Sequence, residues 1–305
     1  MTATEVTHQI ADPNNSVRES AARSPKIRKH RIATTVRVTI LTIILFAIGL
    51  VWIYPFIWMV SASIKSNAEI FAGLNPFPEV IRLDNYVRAW TEGNIGRYFL
   101  NTVLITVGSI IISVGTTAMI GYVLGRYQFR GKKAVIGLFA ASIFLPEGYT
   151  IIPIFDLINR IHLSGSLWGV TLAEAGGAHV VAVLLFAGYF RQLPGELEEA
   201  ARVDGAGFLR IFAQIYLPLA KPVVATAVIL QFMHSWNDFL LPLVLTLSRP
   251  NLRTLAVGIY SFQGDHFSDW GAMAAASTIA LLPIIVVFLF LQRYFVESMA
   301  GAMKG

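Results

Sequence analysis

An all-α integral membrane protein with six transmembrane helices is the fold class this chain predicts, on three observations. Its 305 residues have a mean hydropathy of +0.62, with 55% hydrophobic and only 14% charged residues, far from the balance of a water-soluble domain. The charges are bunched, and the gaps leave six apolar windows, each holding the roughly 20 residues that cross a bilayer as a helix. No stretch alternates apolar and polar residues with the period of a strand.

Residues 1–37 are polar and basic, rich in Ser, Thr, Asn and Asp, and read as a mostly disordered tail whose basic part meets anionic lipid headgroups. The windows follow at about 38–61, 100–124, 134–158, 168–190, 219–246 and 272–293, forming one membrane domain over 38–298, with 299–305 as a C-terminal tail. The first window runs from Val38 past Trp52 and Tyr54, too long for a signal-peptide core and without a small-residue cleavage site, so it is a retained span. Six crossings place both termini on one side. That side holds 17 of the 24 Lys and Arg, among them Arg28, Lys29, Arg31, Arg130, Lys132 and Lys133, and the positive-inside rule makes it the cytoplasm. The net charge of +6 is thereby a matter of topology, and nucleic acid is not needed as a partner. With no cysteine, disulfides, iron–sulfur clusters and thiol catalysis are excluded.

Several spans carry polar residues in register. In the second, Ser109, Ser113, Thr117, Gly121 and Gly125 recur every four residues, a small-residue ridge that lets helix backbones approach closely. Packing within the chain is the plain explanation, an interface with a second subunit the sharper one. In the fifth, Gln231, His234, Ser235 and Asp238 share one face, with Asn237 beside them. Such groups are costly in lipid, so this face should look into the bundle or a wet cavity, either lining a solute pathway or fixing the packing. Glu147 sits in an interrupted turn after Pro146, and Glu174, ahead of Gly176-Gly177, lies near an interface with His179 beyond it.

Between the fourth and fifth windows, residues 191–218 form a charged loop where a short turn would suffice. Pro194 followed by Glu196, Glu198 and Glu199 reads as a helix start, with carboxylates at the positive end of the dipole. Ala200 and Ala201 are small enough for this helix to lie in another protein's groove. Gly205 and Gly207 end it. A second helix carries Phe208, Ile211, Phe212 and Ile215 as an apolar stripe, and Pro218 stops it. Two short helices with a bend make a rigid knob, suited to receiving force from a soluble partner. An amphipathic hairpin resting on lipid is the plainer reading, but the acidic residues stand where a lipid-binding helix prefers basic ones.

Glu199-Ala200-Ala201, then Gly205, then Ile215 and Leu217-Pro218 fit the pattern EAA, three residues, G, nine residues, I-x-LP at every fixed position. The segment resembles the cytoplasmic coupling loop of ATP-binding-cassette importer permeases. Ser235-Trp236-Asn237-Asp238-Phe239, Thr254-Leu255, Ser261-Phe262-Gln263-Gly264, Asp269-Trp270-Gly271 and Gln292 through Glu297 resemble the carbohydrate-uptake branch, and its smaller maltose-type subunit in particular. Ser298-Met299-Ala300-Gly301-Ala302 departs from that branch's usual ending.

The resemblance implies a type I importer permease fold with cytoplasmic termini, in a bacterial plasma (inner) membrane. It implies as partners a second, homologous permease, two ATPase subunits and an extracytoplasmic solute-binding protein that delivers a sugar. Glu199, Ala200, Ala201, Asp204, Gly205, Phe208, Ile215 and Pro218 would then meet the ATPase. Gln231, His234, Ser235, Asn237, Asp238 and Glu147 are the candidate pathway lining, and Met303, Lys304 and Gly305 a tail threading into the ATPase. The chain itself is expected to bind no cofactor and no metal, ATP and Mg²⁺ belonging to the partner ATPase. No G-x-S-x-G elbow or H-E-x-x-H motif is present, and the nearest approach to a phosphate loop, Gly125 through Lys133, spaces its glycines one residue too far apart. A secondary transporter or channel built on the intramembrane polar residues is the alternative class. Within the family, a polyol or glycerol-phosphate importer is the alternative to a sugar importer.

Overall fold

The computed structural model describes residues 24–176, 180–263 and 268–302, with side chains from residue 35 to residue 292 apart from Glu147. Among them every regular element is a helix, and the one strand-type pairing is an isolated antiparallel bridge, Gln263 with Ser268. Helix α1 (Ser24–Ala62) is followed by α2 (Asn67–Phe71), α3 (Asp84–Thr91) and the 32-residue α4 (Ile95–Arg126). Then come α5 (Lys132–Ser142), a 3-10 turn at Glu147–Thr150, α6 (Ile151–Arg160), α7 (Leu167–Gly176) and α8 (Val180–Gln192). The loop contains α9 (Glu196–Val203), α10 (Phe208–Ile211), a π turn at Phe212–Tyr216 and α11 (Leu217–Leu219). Helices α12 (Lys221–Asn237), α13 (Leu240–Thr246), α14 (Leu255–Tyr260) and α15 (Trp270–Ala302) complete the chain. Contacts divide it into two units at Trp58.

Among the described residues, three helices are long and apolar enough to cross a bilayer alone, Thr35–Ala62, Ile95–Arg126 and Trp270–Gln292, and two bent pairs qualify as one span each. Sequence expectations are corrected where the apolar windows break. The first helix begins at Ser24, ahead of the expected tail boundary at residue 37. The third window is not one helix but α5 and α6, of 11 and 10 residues, each too short to span. Pro146 is the cause: it has no N–H to continue the ladder, its own backbone is extended, and it disfavours helix at Leu145. The fifth window breaks as well, since Asp238 is extended and its Oδ1 accepts from Leu240 N at 3.1 Å, which ends α12 and starts α13. Helix α15 continues through Ala302, so residues 299–302 prolong it, while Met303, Lys304 and Gly305 lie outside the described residues, as do His179 and Gly264.

Within residues 59–305, α4 is the central element. Its small-residue ridge is buried against this chain's own helices, which decides for packing within the chain. A Cβ on Gly121 would stand 2.3 Å from Phe186 Cβ and 3.0 Å from Ala187 N, and one on Gly125 would stand 2.9 Å from Ala187 O. Only glycine lets α4 and α8 lie this close. The hydroxyls along α4 turn back on its carbonyls, Thr102 to Tyr98 at 2.9 Å and Thr117 to Ser113 at 2.7 Å, so none is stranded away from water. Toward its C-terminal end, Tyr122 is fully enclosed by Tyr127, Phe190, Phe208, Phe212 and Tyr216, with ring centroids 4.9–5.8 Å away. At the other end, Asp269 pairs with Arg88 at 3.0 Å and caps α15 through Ala272 N at 3.0 Å, tying α3 to α15.

Candidate functional site

The loop after α8 folds as the predicted two-helix knob. Glu196, Glu198 and Glu199 occupy the first turn of α9, where carboxylates offset the exposed N–H groups. Gly205 then takes φ = 76°, a left-handed conformation that strains any residue with a Cβ, and its N–H closes on Arg202 O at 3.0 Å. Pro218 does not stop the second helix, contrary to expectation. It lies inside α11, and the missing N–H is accommodated one turn earlier: the helix widens to a π turn in which Leu217 N bonds to Phe212 O. The chain turns only at Ala220, where α12 departs at 84°.

One buried carboxylate holds the knob to the end of α4. Glu198 Oε2 accepts from Arg126 Nε at 3.2 Å, and Oε1 accepts from Arg202 at 2.7 Å and from the Tyr127 hydroxyl at 3.1 Å. Arg126 also donates to Leu193 O at 2.9 Å and lies over the Tyr216 ring at 5.3 Å. Burial pushes the Glu198 carboxyl upward, but the hydrogen bonds from Arg126, Tyr127 and Arg202 outweigh it and hold the group below its ordinary 4.5. Glu198 is therefore ionised at neutral pH.

The expected contact residues divide between two faces. Glu199, Ala200, Asp204, Gly205, Phe208 and Pro218 lie on the accessible side. Ala201 points inward, into a core with Ile211, Phe212 and Tyr216, and Ile215 packs on that core half-buried. The small side chain of Ala201 thus serves a contact within the chain. Sequence reasoning missed two features. Val203 and Leu209 stand 88% and 63% exposed on the knob, apolar residues amid charges, where a partner groove would cover them. It also missed that Glu198, one glutamate among three, is the one turned inward. An eight-residue helix has too few turns to fix its phase from pattern alone.

The span-five stripe also divides. Gln231 and Ser235 are buried on α12: Gln231 Nε2 donates to Glu174 O at 3.3 Å, and the Ser235 hydroxyl lies 3.4 Å from that of Thr106. His234 and Asp238 are only half-buried, and His234 Nε2 lies 3.5 Å from Glu174 Oε2 of α7. Asn237 is exposed, its amide returned to Met233 O at 2.8 Å. The stripe thus joins α12 to α4 and α7 on one side and keeps an open side at His234 and Asp238. Glu147 begins the 3-10 turn Glu147–Thr150, and its side chain lies outside the described residues.

Residues 117–301 match the family described as the inner membrane component of binding-protein-dependent transport systems. A permease protein of the diacetylchitobiose uptake system of Streptomyces coelicolor is 33% identical over 249 residues, 81% of this chain and 82% of that one. The arabinooligosaccharides transport system permease protein AraQ of Bacillus subtilis is 32% identical over 287 residues, 92% of this chain and 99% of its own length. Among solved structures, a bacterial ABC transporter involved in import of the acidic polysaccharide alginate superposes with a TM-score of 0.72 at 26% identity, covering 88% of this chain and 98% of that one.

Proposed function

Because this chain belongs to the family of inner membrane components of binding-protein-dependent transport systems, we propose that it is the permease subunit of an ATP-driven sugar importer. The observation that carries the reading is the knob: two short helices about a left-handed Gly205, latched by Glu198, presenting Glu199, Val203 and Leu209 outward. A transporter driven by an ion gradient has no use for such a projection; a subunit moved by a separate ATPase needs it. The solute is a di- or oligosaccharide, a reading supported by relatives named for diacetylchitobiose, for arabinooligosaccharides, and for melibiose, raffinose and stachyose.

In this reading the chain crosses a bacterial inner membrane six times, α5 and α6 together making the third crossing, with both termini and the knob in the cytoplasm. The excess of Lys and Arg on that side supports the orientation. A second permease completes the pathway, two ATPase subunits seat on the knobs, and a solute-binding protein delivers sugar from outside. Met303, Lys304 and Gly305 meet the ATPase in this reading. The chain performs no chemistry; ATP binding closes the ATPase pair, the knobs move, and the spans open the pathway alternately to each side.

Reconstitution with the partner subunits tests this. Glu199→Lys and Gly205→Pro should leave the chain in the membrane while sugar uptake falls about tenfold or more and ATP hydrolysis loses its response to loaded binding protein, in line with a lost contact of roughly 1.4 kcal/mol or above. Normal uptake by both variants would sink the reading.

A further inference from the structure

Away from the knob, two helices bring three ligating side chains together. Glu174 of α7, His234 of α12 and Asp238 at the end of α12 each place one ligand atom within 4.8 Å of the others. The 3.5 Å between His234 Nε2 and Glu174 Oε2 is already close to the edge, about 3.3 Å, of a tetrahedron with metal–ligand bonds of 2.0–2.1 Å. Asp238 supplies the third ligand atom, within 4.8 Å of the other two.

A second observation is independent of these three. Gln231, one turn before His234, is only 2% exposed, and its Oε1 has no hydrogen-bond partner. Its Nε2 donates to the backbone O of Glu174, which fixes the amide against α7 and leaves its oxygen dry. Buried acceptors are seldom left in this condition unless something else binds them.

Charge decides what that something is. Bound as ligands, two carboxylates and an imidazole contribute two negative charges, which a divalent cation brings to zero, and neutrality is what low-dielectric surroundings favour. Imidazole nitrogen with carboxylate and amide oxygen suits a first-row transition ion better than calcium or magnesium, which favour oxygen alone. The way in is open as well, because His234 keeps 30% of its side chain accessible while Glu174 is fully enclosed behind it. We propose that Glu174, His234 and Asp238, with Gln231 Oε1 as a further ligand, bind one divalent transition-metal ion that bridges α7 and α12. No spacing motif announces the site, since Glu174 is remote in sequence from the other three.

Cobalt(II) is the probe, because its visible d–d bands report an ordered site of four or five ligands. The full chain, purified with its partner subunits and stripped with EDTA, is titrated with Co²⁺ and then with Zn²⁺ in competition. Wild type should take up one Co²⁺ per chain, displaced by Zn²⁺, and Glu174→Gln and His234→Ala should each weaken binding about tenfold or more. His234 and Asp238 are half-buried, so His234→Ala and Asp238→Asn serve if Glu174→Gln does not fold. No saturable binding to the wild type would overturn the proposal. So would equal affinity in the wild type and in both half-buried variants, which would mean that the stripe receives only neutral solute hydroxyls. The readout is metal binding alone, so its outcome is separate from that of the uptake assay.

Discussion

Replacing Glu198 by alanine tests whether one carboxylate fastens the knob to α4. The Arg126–Glu198 pair is nearly dry, with side chains 15% and 11% exposed, so its loss removes a charge-assisted hydrogen bond of about 2 kcal/mol. Arg202 is 57% exposed, so its share is screened to about 0.5 kcal/mol. The Tyr127 hydroxyl adds about 1 kcal/mol, while the Tyr216 contact, at 3.4 Å, is too long to count. Glu198→Ala should therefore loosen the docked knob by about 3–4 kcal/mol, roughly 200- to 900-fold in the equilibrium between docked and open forms. Glu198→Gln keeps one acceptor oxygen, for Arg126 or for Tyr127 and not for both, and should lose about half as much. Hydrogen exchange reads this directly at the amides of Gly205 and Ala206, which bond to Arg202 O and Ala201 O. An acceleration below about tenfold in Glu198→Ala would refute the reasoning, and would mean that the apolar contacts of Ala201, Ile211 and Phe212 hold the knob without the carboxylate.

The same carboxylate fixes a pH window. Its folded pKa lies below 4.5, so the contribution is complete above that value and is lost only as pH falls through the lowered one; knob protection should be flat from pH 8 to about 5, and a decline between pH 7 and 5 would contradict the assignment. Gly121→Val should destabilise the chain by about 1–3 kcal/mol or more, because backbone of α8 stands in the way, whereas Gly115→Ala, with nothing within 4 Å, should leave the melting temperature in detergent unchanged; equal effects would mean that the α4–α8 approach is not a limiting contact.

Much of this architecture was legible in the amino-acid order, and what was not follows from the range of the forces involved. Left-handed Gly205, the acidic first turn of α9 and the close-packed ridge of α4 depend on neighbours in sequence or on one face of a helix, and such local causes leave local patterns. The break at Pro146 was foreseen as a turn at Glu147, yet hydropathy alone still counted residues 134–158 as one span, because an apolar average does not register a missing N–H. The phase of α9 was hidden for another reason. Whether Glu198 or Glu199 turns inward depends on Arg126 and Tyr127, which stand 72 and 71 positions before Glu198 in the chain. Glu174 beside His234 was hidden in the same way, since nothing in either segment names the other.

Helix α4 differs from the other elements that would cross the bilayer alone or as a pair in having neither a proline nor a gap along its 32 residues, which extend about 48 Å. Both other single spans contain a proline, at Pro55 and Pro283, and the paired ones are jointed. In mechanical terms α4 is a connecting rod among hinges. A jointed element absorbs a push by bending where it is weakest, but a continuous ladder of hydrogen bonds delivers the push to its far end. With Glu198 gripping one end through Arg126 and Thr102 accepting the Leu255 N–H at 2.7 Å near the other, a push on the knob would run along α4 to α14.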